Sequence, residues 1–321
     1  MKLDVAHGRV GHLHEAAVYR SDDELLSILI PFLRHGLDAG DPVLVCFTPQ
    51  RAELLRTAFA DADSVIFLDH CTGYQNPATT VKYFRELVDQ HVRQGAGKVR
   101  LAGELDEPGS TTPWGPWARY EAAVNNLLDD LPLWSLCMYD RRTTPATVLD
   151  DVLRTHPWLA LPGGRHAPST AFTDPPAFLS THVPAPGEPG LRSKAPAVTL
   201  RATHPEQARE AAREAGRQAG LGETRLGELV LAVSESVTNA LHHGTPPVWL
   251  RLWPEHRRVV ATVTDAGEGP KDPYAGLTPL GPNRADGGLG LWIVHQVCDY
   301  VAMRRHEDGY TIVLVAGEHS R

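Results

Sequence analysis

The sequence has few cysteines, no long apolar run and no excess of positive charge. Four cysteines are scattered through 321 residues without a C-x-x-C pair, so no disulfide framework is expected. Arg and Lys number 31 against 39 Asp and Glu, giving a net charge of −8, which disfavours direct nucleic-acid binding. No apolar stretch reaches the roughly 18–20 residues that span a bilayer, and no signal-peptide core is visible. These absences predict a cytoplasmic protein that contacts neither membrane nor nucleic acid.

Histidine is abundant, with 16 residues, but its spacing does not suggest a metal site. His12 and His14 stand close together, as do His242 and His243. Neither pair has further ligands at the spacing of known zinc motifs. The sequence therefore predicts no structural metal.

The first half of the chain alternates between helical and strand-like segments. Ser21-Asp22-Asp23-Glu24 has the form of a capping box before an apolar helix. The predicted strands are 43–47, 65–68, 99–102 and 134–139, and helices are predicted at 21–40, 50–59, 78–93, 117–128 and 145–153. This alternation predicts a mainly parallel, three-layer α/β domain over residues 1–158.

One short string in this half imitates a nucleotide-binding loop. Gly95-Ala96-Gly97-Lys98 resembles the end of a P-loop, but Val99 stands where Ser or Thr would bind Mg²⁺. The string also precedes a predicted strand, whereas a P-loop follows one. We interpret it as a helix-to-strand turn and predict no nucleotide site in this half.

Residues 159–196 are rich in Pro and Gly and carry few large apolar side chains. Such composition is typical of a linker between domains. A second domain is predicted over 197–321, with strands near 197–200, 248–252, 259–264 and 310–315 and helices between them. Helices on one face of a mixed sheet would form an α/β sandwich.

The central helix of this second domain is predicted over residues 228–244. Apolar residues recur in it at three- and four-residue steps, which is the pattern of an amphipathic helix. On another face Glu235 and Asn239 are four residues apart, so their side chains lie one above the other. By itself such a pair is most often a solvated helix face.

Two later motifs change that interpretation. A predicted strand ends in Asp265-Ala266-Gly267-Glu268-Gly269, and Gly287-Gly288-Leu289-Gly290-Leu291 opens another apolar helix. The order E-x-x-x-N helix, D-x-G-x-G and G-x-G helix resembles the boxes of the GHKL (Bergerat-fold) ATPases. The segment AVSESVTNALHHG is most similar to the bacterial anti-sigma factor serine kinases.

The resemblance implies binding of ATP with Mg²⁺ and assigns roles to individual residues. Glu235 would be the general base and Asn239 the Mg²⁺ ligand, while Asp265 would accept from the adenine amine. Residues 270–286 would form a mobile lid over the nucleotide. The other implied nucleotide contacts are Gly267, Gly269, Arg284, Gly288, Gly290 and Thr311.

The N-terminal half resembles the MEDS sensory domain, which is RecA-like in fold but lacks the P-loop. The resemblance is carried by H-x-x-x-x-Y at His14 and Tyr19, by residues 30–37, and by Arg100 with Glu104. It implies that His14 and Glu104 contact a sensed ligand. The alternative is that both are buried polar groups satisfied by the fold.

Together the resemblances imply a sensor joined to an anti-sigma-factor-type kinase. Its partners would be a sigma factor and a STAS-domain antagonist that is phosphorylated on Ser or Thr. The sequence does not decide whether the chain also forms a homodimer. One alternative is a histidine kinase, although His14-Glu15-Ala16-Ala17 lacks the proline of a phosphoacceptor motif. Another is a binding module that ATP switches without phosphotransfer.

Overall fold

The computed structural model describes residues 11–110, 112–181, 195–201, 204–278 and 289–317. The chain divides into two compact units, residues 1–75 with 80–186 and residues 76–79 with 187–321. Within the described ranges, no helix has the length and apolar character needed to span a membrane.

The first unit contains seven strands and seven α-helices among its described residues. Its strands are β1 Leu13–Tyr19, β2 Val43–Cys46, β3 Ile66–Phe67, β4 Val99–Glu104, β5 Leu133–Asp140, β6 Trp158–Leu161 and β7 Arg165–Pro168. Its helices are α1 Asp22–Asp38, α2 Pro49–Ala58, α3 His70–Gly73, α4 Pro77–Arg93, α5 Trp114–Leu127, α6 Ala146–Thr155 and α7 Pro175–Thr181.

These strands form one sheet in the order β3-β2-β4-β5-β1-β6-β7. Every neighbouring pair is parallel except β6 with β7, which is antiparallel. One apolar cluster joins α1 and α2 to the sheet, and another joins α4, α5, α6 and α7 to it. The predicted mainly parallel, three-layer α/β domain is therefore confirmed.

Local sequence signals explain several boundaries of this unit. Ser21 caps α1 as the capping box predicts, because its hydroxyl accepts a hydrogen bond from the Glu24 amide at 3.1 Å. Gly95 has a φ of +99° in the turn between α4 and β4, a conformation that favours glycine. The P-loop-like string is thus a helix-to-strand turn, as predicted.

The segment predicted as a linker, residues 159–196, differs from expectation over residues 159–181. It supplies β6 and β7 to the sheet and then α7, whose Phe178 is completely buried in the apolar cluster with α5 and α6. Proline and glycine are compatible with a short edge strand and a helix start, so composition alone was misleading here.

The second unit contains five strands and three α-helices among its described residues. The strands are β8 Val198–Arg201, β9 Trp249–Glu255, β10 Arg258–Asp265, β11 Tyr300–His306 and β12 Gly309–Gly317. The helices are α8 Pro205–Ala219, α9 Glu223–His243 and α10 Leu289–Val297.

The sheet of this unit has the order β11-β12-β10-β9-β8 and all its pairs are antiparallel, so the expected mixed sheet was wrong in that detail. The alternation of strand side chains puts Val259, Ala261 and Val263 in the main apolar cluster with the three helices. Val260 lies on the other face in a smaller cluster. Helices packed on one face make the α/β sandwich that the sequence predicted.

Candidate functional site

The candidate site is built on the second half of α9. Glu235 and Asn239 lie on the same face one turn apart and are partly buried. Between them Ser236 and Val237 turn into the core. The helix ends at His243, and the Gly244 amide bonds to the Ala240 carbonyl at 3.1 Å. The amphipathic pattern therefore anchors α9 on the sheet and leaves its polar stripe at the edge of the core.

Gly290, at the start of α10, approaches that polar stripe closely. A β-carbon at Gly290 would lie 2.5 Å from Glu235 Oε2 and 3.5 Å from Asn239 Oδ1. Only a residue without a side chain fits there without moving the Glu235 carboxylate. The structure thus brings Glu235, Asn239 and the N-terminal end of α10 together. The N-terminus of a helix carries partial positive charge and unbonded amides, which suit phosphate.

Asp265, the last residue of β10, is buried with 6% exposure. Its Oδ1 accepts hydrogen bonds from the Gly267 amide at 2.7 Å and the Thr245 amide at 3.1 Å. The Ala266 amide in turn donates to the Thr245 carbonyl at 2.8 Å. Among the described residues, no donor bonds to Oδ2. One carboxylate oxygen therefore fixes the loop after α9, while the other is able to accept from a ligand.

Both described glycines of the D-x-G-x-G turn stand where a side chain would collide. A β-carbon at Gly267 would lie 2.7 Å from Asp265 Oδ1, and one at Gly269, where φ is +75°, would overlap the Tyr310 ring. Thr245 was not predicted as part of this site. The residue type at position 245 gives little indication of this role, because Thr245 acts through its backbone amide, which almost any residue supplies.

Thr311 lies on β12 opposite Thr264, the residue before Asp265. Its hydroxyl oxygen is 2.9 Å from Thr264 Oγ1 and 3.0 Å from His306 Nε2. The hydroxyl is therefore engaged by neighbouring strands at the same end of β10 as the carboxylate. Thr311 thus lies beside the end of β10 that carries Asp265.

Two predicted contacts, Arg284 and Gly288, lie outside the described residues. The described start of the expected lid, residues 270–278, is a folded turn. Asp272 Oδ1 accepts from the Tyr274 amide at 2.9 Å, and Leu277 is only 1% exposed. A β-carbon at Gly276 would lie 2.8 Å from His295 Nε2 of α10. This part of the segment is thus packed on α10.

In the first unit, His14 and Glu104 are both buried but do not meet at one site. His14 Nε2 lies 3.1 Å from Glu121 Oε2, and burial lowers the pKa of His14. Glu104 Oε1 accepts from the hydroxyl of Thr48 at 2.9 Å, and burial raises the pKa of Glu104. His14 and Glu104 therefore have different polar neighbours within the unit, and the two side chains do not line one common site.

The environment of His14 also bears on the histidine-kinase alternative. His14 lies on strand β1 and is 2% exposed. A phosphoacceptor histidine must reach the γ-phosphate of a bound nucleotide, so it is carried on an accessible helix. The buried strand position of His14 does not meet that requirement.

Comparisons with known proteins agree with the two units. Residues 13–157 match the family described as MEDS, the methanogen/methylotroph DcmR sensory domain. Residues 198–316 match the family described as the histidine kinase-like ATPase domain. The two matches leave between them the segment that holds β6, β7 and α7.

Similarity to individual proteins is more limited. The transcriptional repressor DcmR of Methylorubrum extorquens is 29% identical over 167 residues, covering 48% of this chain and 60% of the repressor. Among solved structures, the RsbU and RsbW domains of Rv1364c from Mycobacterium tuberculosis align with 20% identity over 38% of this chain and 32% of that one, with a TM-score of 0.27. A TM-score this low carries no argument.

Proposed function

Because the chain consists of a MEDS domain followed by a histidine kinase-like ATPase domain, we propose that it is an ATP-dependent protein kinase of the anti-sigma-factor type. Its second unit binds ATP with Mg²⁺ and phosphorylates a Ser or Thr of a STAS-domain antagonist. The same unit holds a sigma factor when the antagonist is phosphorylated, and the first unit regulates this activity.

The observation that carries the proposal is the approach of Gly290 to Glu235 and Asn239. The missing side chain at Gly290 leaves the start of α10 in contact range of both groups, with the Glu235 oxygen 2.5 Å from a β-carbon position. A carboxylate, an amide oxygen and a helix N-terminus then converge. Those are the groups that phosphoryl transfer requires for proton removal, metal binding and phosphate binding.

The residues present fit Mg-ATP in their chemistry. The bound nucleotide and metal would supply the γ-phosphoryl group and the charge that stabilises its transfer. Asn239 offers a neutral oxygen to the metal, and the glycine turn after Asp265 allows the backbone to approach the ligand. Asp265, whose Oδ1 is held by the amides of Thr245 and Gly267, presents Oδ2 to the adenine amine. Glu235 removes the proton from the attacking hydroxyl.

The test separates the two residues that lie one turn apart on α9. In the full chain, Glu235→Gln should leave ATP affinity within a few-fold of the wild type and lower phosphorylation of a STAS-domain protein by about 10²–10⁴-fold. Asn239→Ala should weaken Mg²⁺-dependent nucleotide binding and turnover together. Calorimetry measures the affinity, and mass spectrometry of the STAS protein identifies the modified residue.

A second candidate function uses the same site without phosphotransfer. In that case the protein binds ATP and a partner, the STAS protein is never modified, and Glu235→Gln changes nothing measurable. Phosphate found on a histidine of this chain would instead favour the histidine kinase. The near-complete burial of His14 weighs against phosphorylation of that particular histidine.

A further inference from the structure

Four potential metal ligands from four different elements meet inside the first unit. They are His14 on β1, Glu121 on α5, Cys137 on β5 and His156, which directly follows α6. One ligand atom from each lies within 4.8 Å of all the others. We refer to these residues as the His–Glu–Cys–His cluster. The nucleotide site proposed for the second unit does not use it.

The distances within the cluster match those around a tetrahedral metal ion. Zinc bonds of about 2.0–2.3 Å at tetrahedral angles hold ligand atoms roughly 3.3–3.8 Å apart. Glu121 Oε2 lies 3.1 Å from His14 Nε2 and 3.3 Å from His156 Nε2. Cys137 Sγ lies 3.4 Å from His14 Nε2 and 3.9 Å from Glu121 Oε2. These four distances are within a few tenths of an ångström of that range, and all four ligand atoms lie within 4.8 Å of one another.

The hydrogen bonds around His14 determine the tautomer of its imidazole and therefore which ring nitrogen carries a lone pair toward the cluster. Its Nδ1 lies 3.2 Å from Asn125 Oδ1. The Asn125 amide nitrogen donates to the carbonyls of Glu121, Ala122 and Thr155 at 2.8–3.0 Å, so its oxygen must be the atom that faces the histidine. His14 Nδ1 therefore donates, and in the neutral imidazole the lone pair is on Nε2.

His156 is oriented in the same way. Its Nδ1 donates to the carbonyl of Val152 at 2.9 Å, which leaves the Nε2 lone pair directed at Glu121. His156 is fully buried, and its Nε2 makes no hydrogen bond among the described residues. A buried polar atom without a partner is costly. Two imidazole nitrogens and a carboxylate oxygen thus converge, and a proton or a metal ion between them would offset their repulsion.

We propose that the His–Glu–Cys–His cluster is a binding site for a divalent transition-metal ion of the Zn²⁺ class. Two imidazoles, one thiolate and one carboxylate are a borderline-soft ligand set, and four such ligands at tetrahedral spacing select Zn²⁺ over the oxygen-preferring Mg²⁺ and Ca²⁺. Binding breaks the S–H bond of Cys137 and forms the metal–sulfur bond, and the proton leaves to solvent.

The surroundings supply the supporting contacts that protein metal sites have. Glu121 Oε1 accepts a hydrogen bond from the Tyr139 hydroxyl at 2.8 Å, so only Oε2 points into the cluster. Asn125 and the Val152 carbonyl orient the two histidines. His14 and Cys137 also border a small cavity that His12 and Ser135 line.

The test uses the full-length, untagged protein after treatment with a chelator. Titration with Co²⁺ should give one tetrahedral ion per chain with a thiolate-to-cobalt charge-transfer band, and Zn²⁺ should abolish that band stoichiometrically. Elemental analysis after gel filtration should give one zinc per chain. A folded wild-type protein that shows no charge-transfer band, or retains metal at well under one ion per chain, would overturn the proposal.

Variants separate the cluster from adventitious binding by the many other histidines. Cys137→Ser should abolish the charge-transfer band and weaken Zn²⁺ binding by at least about 10²-fold, because it removes a ligand. Asn125→Ala should weaken it by about 10–100-fold while the band persists, since only the orientation of His14 is lost. Cys46→Ser, at a buried thiol of the same unit, is the matched control and should change neither. A band that survives Cys137→Ser, or disappears in Cys46→Ser, would contradict the assignment.

Discussion

The two candidate sites of this protein are assembled in opposite ways. In the second unit, Glu235 and Asn239 share one helix, while Asp265 ends strand β10 and Gly267 lies in the turn that follows it. In the first unit, the His–Glu–Cys–His cluster draws one residue from each of four elements spread from β1 to the end of α6. The second-unit site can be predicted from the sequence because its residues have helical spacing. The first-unit cluster cannot, because it depends on the order of the strands in the sheet.

This difference has a physical cause. Residues four apart on a helix are neighbours whatever the rest of the chain does. His14 and Cys137 become neighbours only because β1 pairs with β5, with Ala16 beside Cys137 and His14 beside Ser135. Glu121 on α5 and His156, directly after the end of α6, then complete the cluster. Substitutions at the second-unit site therefore test contacts set by one helix, and substitutions in the first unit test contacts set by the packing of distant segments.

The largest expected effect concerns the long-range order of the first unit. Phe178 in α7 is completely buried, and the Arg154 guanidinium lies 4.8 Å from the centre of its ring. Phe178→Ala should lower the free energy of unfolding of this unit by about 3–5 kcal/mol, the usual cost of removing a buried aromatic ring. Denaturant unfolding followed by tryptophan fluorescence measures the change.

Phe172 provides the matched control in the same segment, because its side chain is 37% exposed. Phe172→Ala should change stability by no more than about 1 kcal/mol, as for most substitutions at partly exposed positions. If both variants are equally harmless, residues 159–181 behave as the linker that their composition suggested, and α7 does not belong to the folded core.

The first unit also shows where sequence patterns fail. β1 lies inside the sheet, yet the sequence did not predict it, because His14 and Glu15 interrupt its apolar character. Glu15 is 4% exposed and accepts from Trp134 Nε1 at 2.9 Å, with His166 Nδ1 2.8 Å from its other oxygen. A buried carboxylate with such partners is stable, but the partners are distant in sequence and one lies in the supposed linker.

In the second unit the sequence predicted four of the five described strands and all three helices. The missed strand, β11, lies at the edge of the sheet and ends in Arg304, Arg305 and His306. Charged edge strands avoid aggregation but lack the alternation that identifies a strand. The local motifs point to Glu235, Asn239 and Gly290 as parts of one site, and the structure places these three residues close together. They could not predict that the amide of Thr245 holds Asp265, since a backbone donor has no sequence signature.

The second prediction tests the local site through Gly290. Gly290→Ala places a methyl group 2.5 Å from Glu235 Oε2, so the flexible carboxylate must move while the fold persists. Displacement of a catalytic group by about 1 Å costs on the order of 10²-fold in kcat, with a smaller effect on ATP affinity. Phosphotransfer rates and calorimetry measure the two separately.

Gly227→Ala is the control for that substitution. Gly227 lies on α9, is exposed, and has nothing within 4 Å of its β-carbon position. Alanine there should leave kcat unchanged and stabilise the helix by about 0.5–1 kcal/mol. Equal loss of activity in both variants would mean that close contact at Gly290 has no part in phosphotransfer.

The smallest expected effect separates the two oxygens of Asp265. Asp265→Asn keeps an oxygen that accepts from the amides of Thr245 and Gly267, so the loop after α9 should hold and the melting temperature should stay close to that of the wild type. The substitution replaces Oδ2 with an NH₂ donor. Facing the adenine amine, that donor should weaken ATP binding by about 1–3 kcal/mol, the cost of leaving a polar group unpaired.

The same substitution should change which base the site accepts. Inosine triphosphate carries a carbonyl oxygen where ATP carries the amine, so Asp265→Asn should gain affinity for it while losing affinity for ATP. Asp265→Ala removes both oxygens and should weaken both nucleotides and also loosen the Thr245 loop. Competition calorimetry with the two nucleotides measures the reversal. An Asp265→Asn protein that keeps the wild-type preference would show that this carboxylate, although buried beside the glycine turn, only supports the loop and does not read the base.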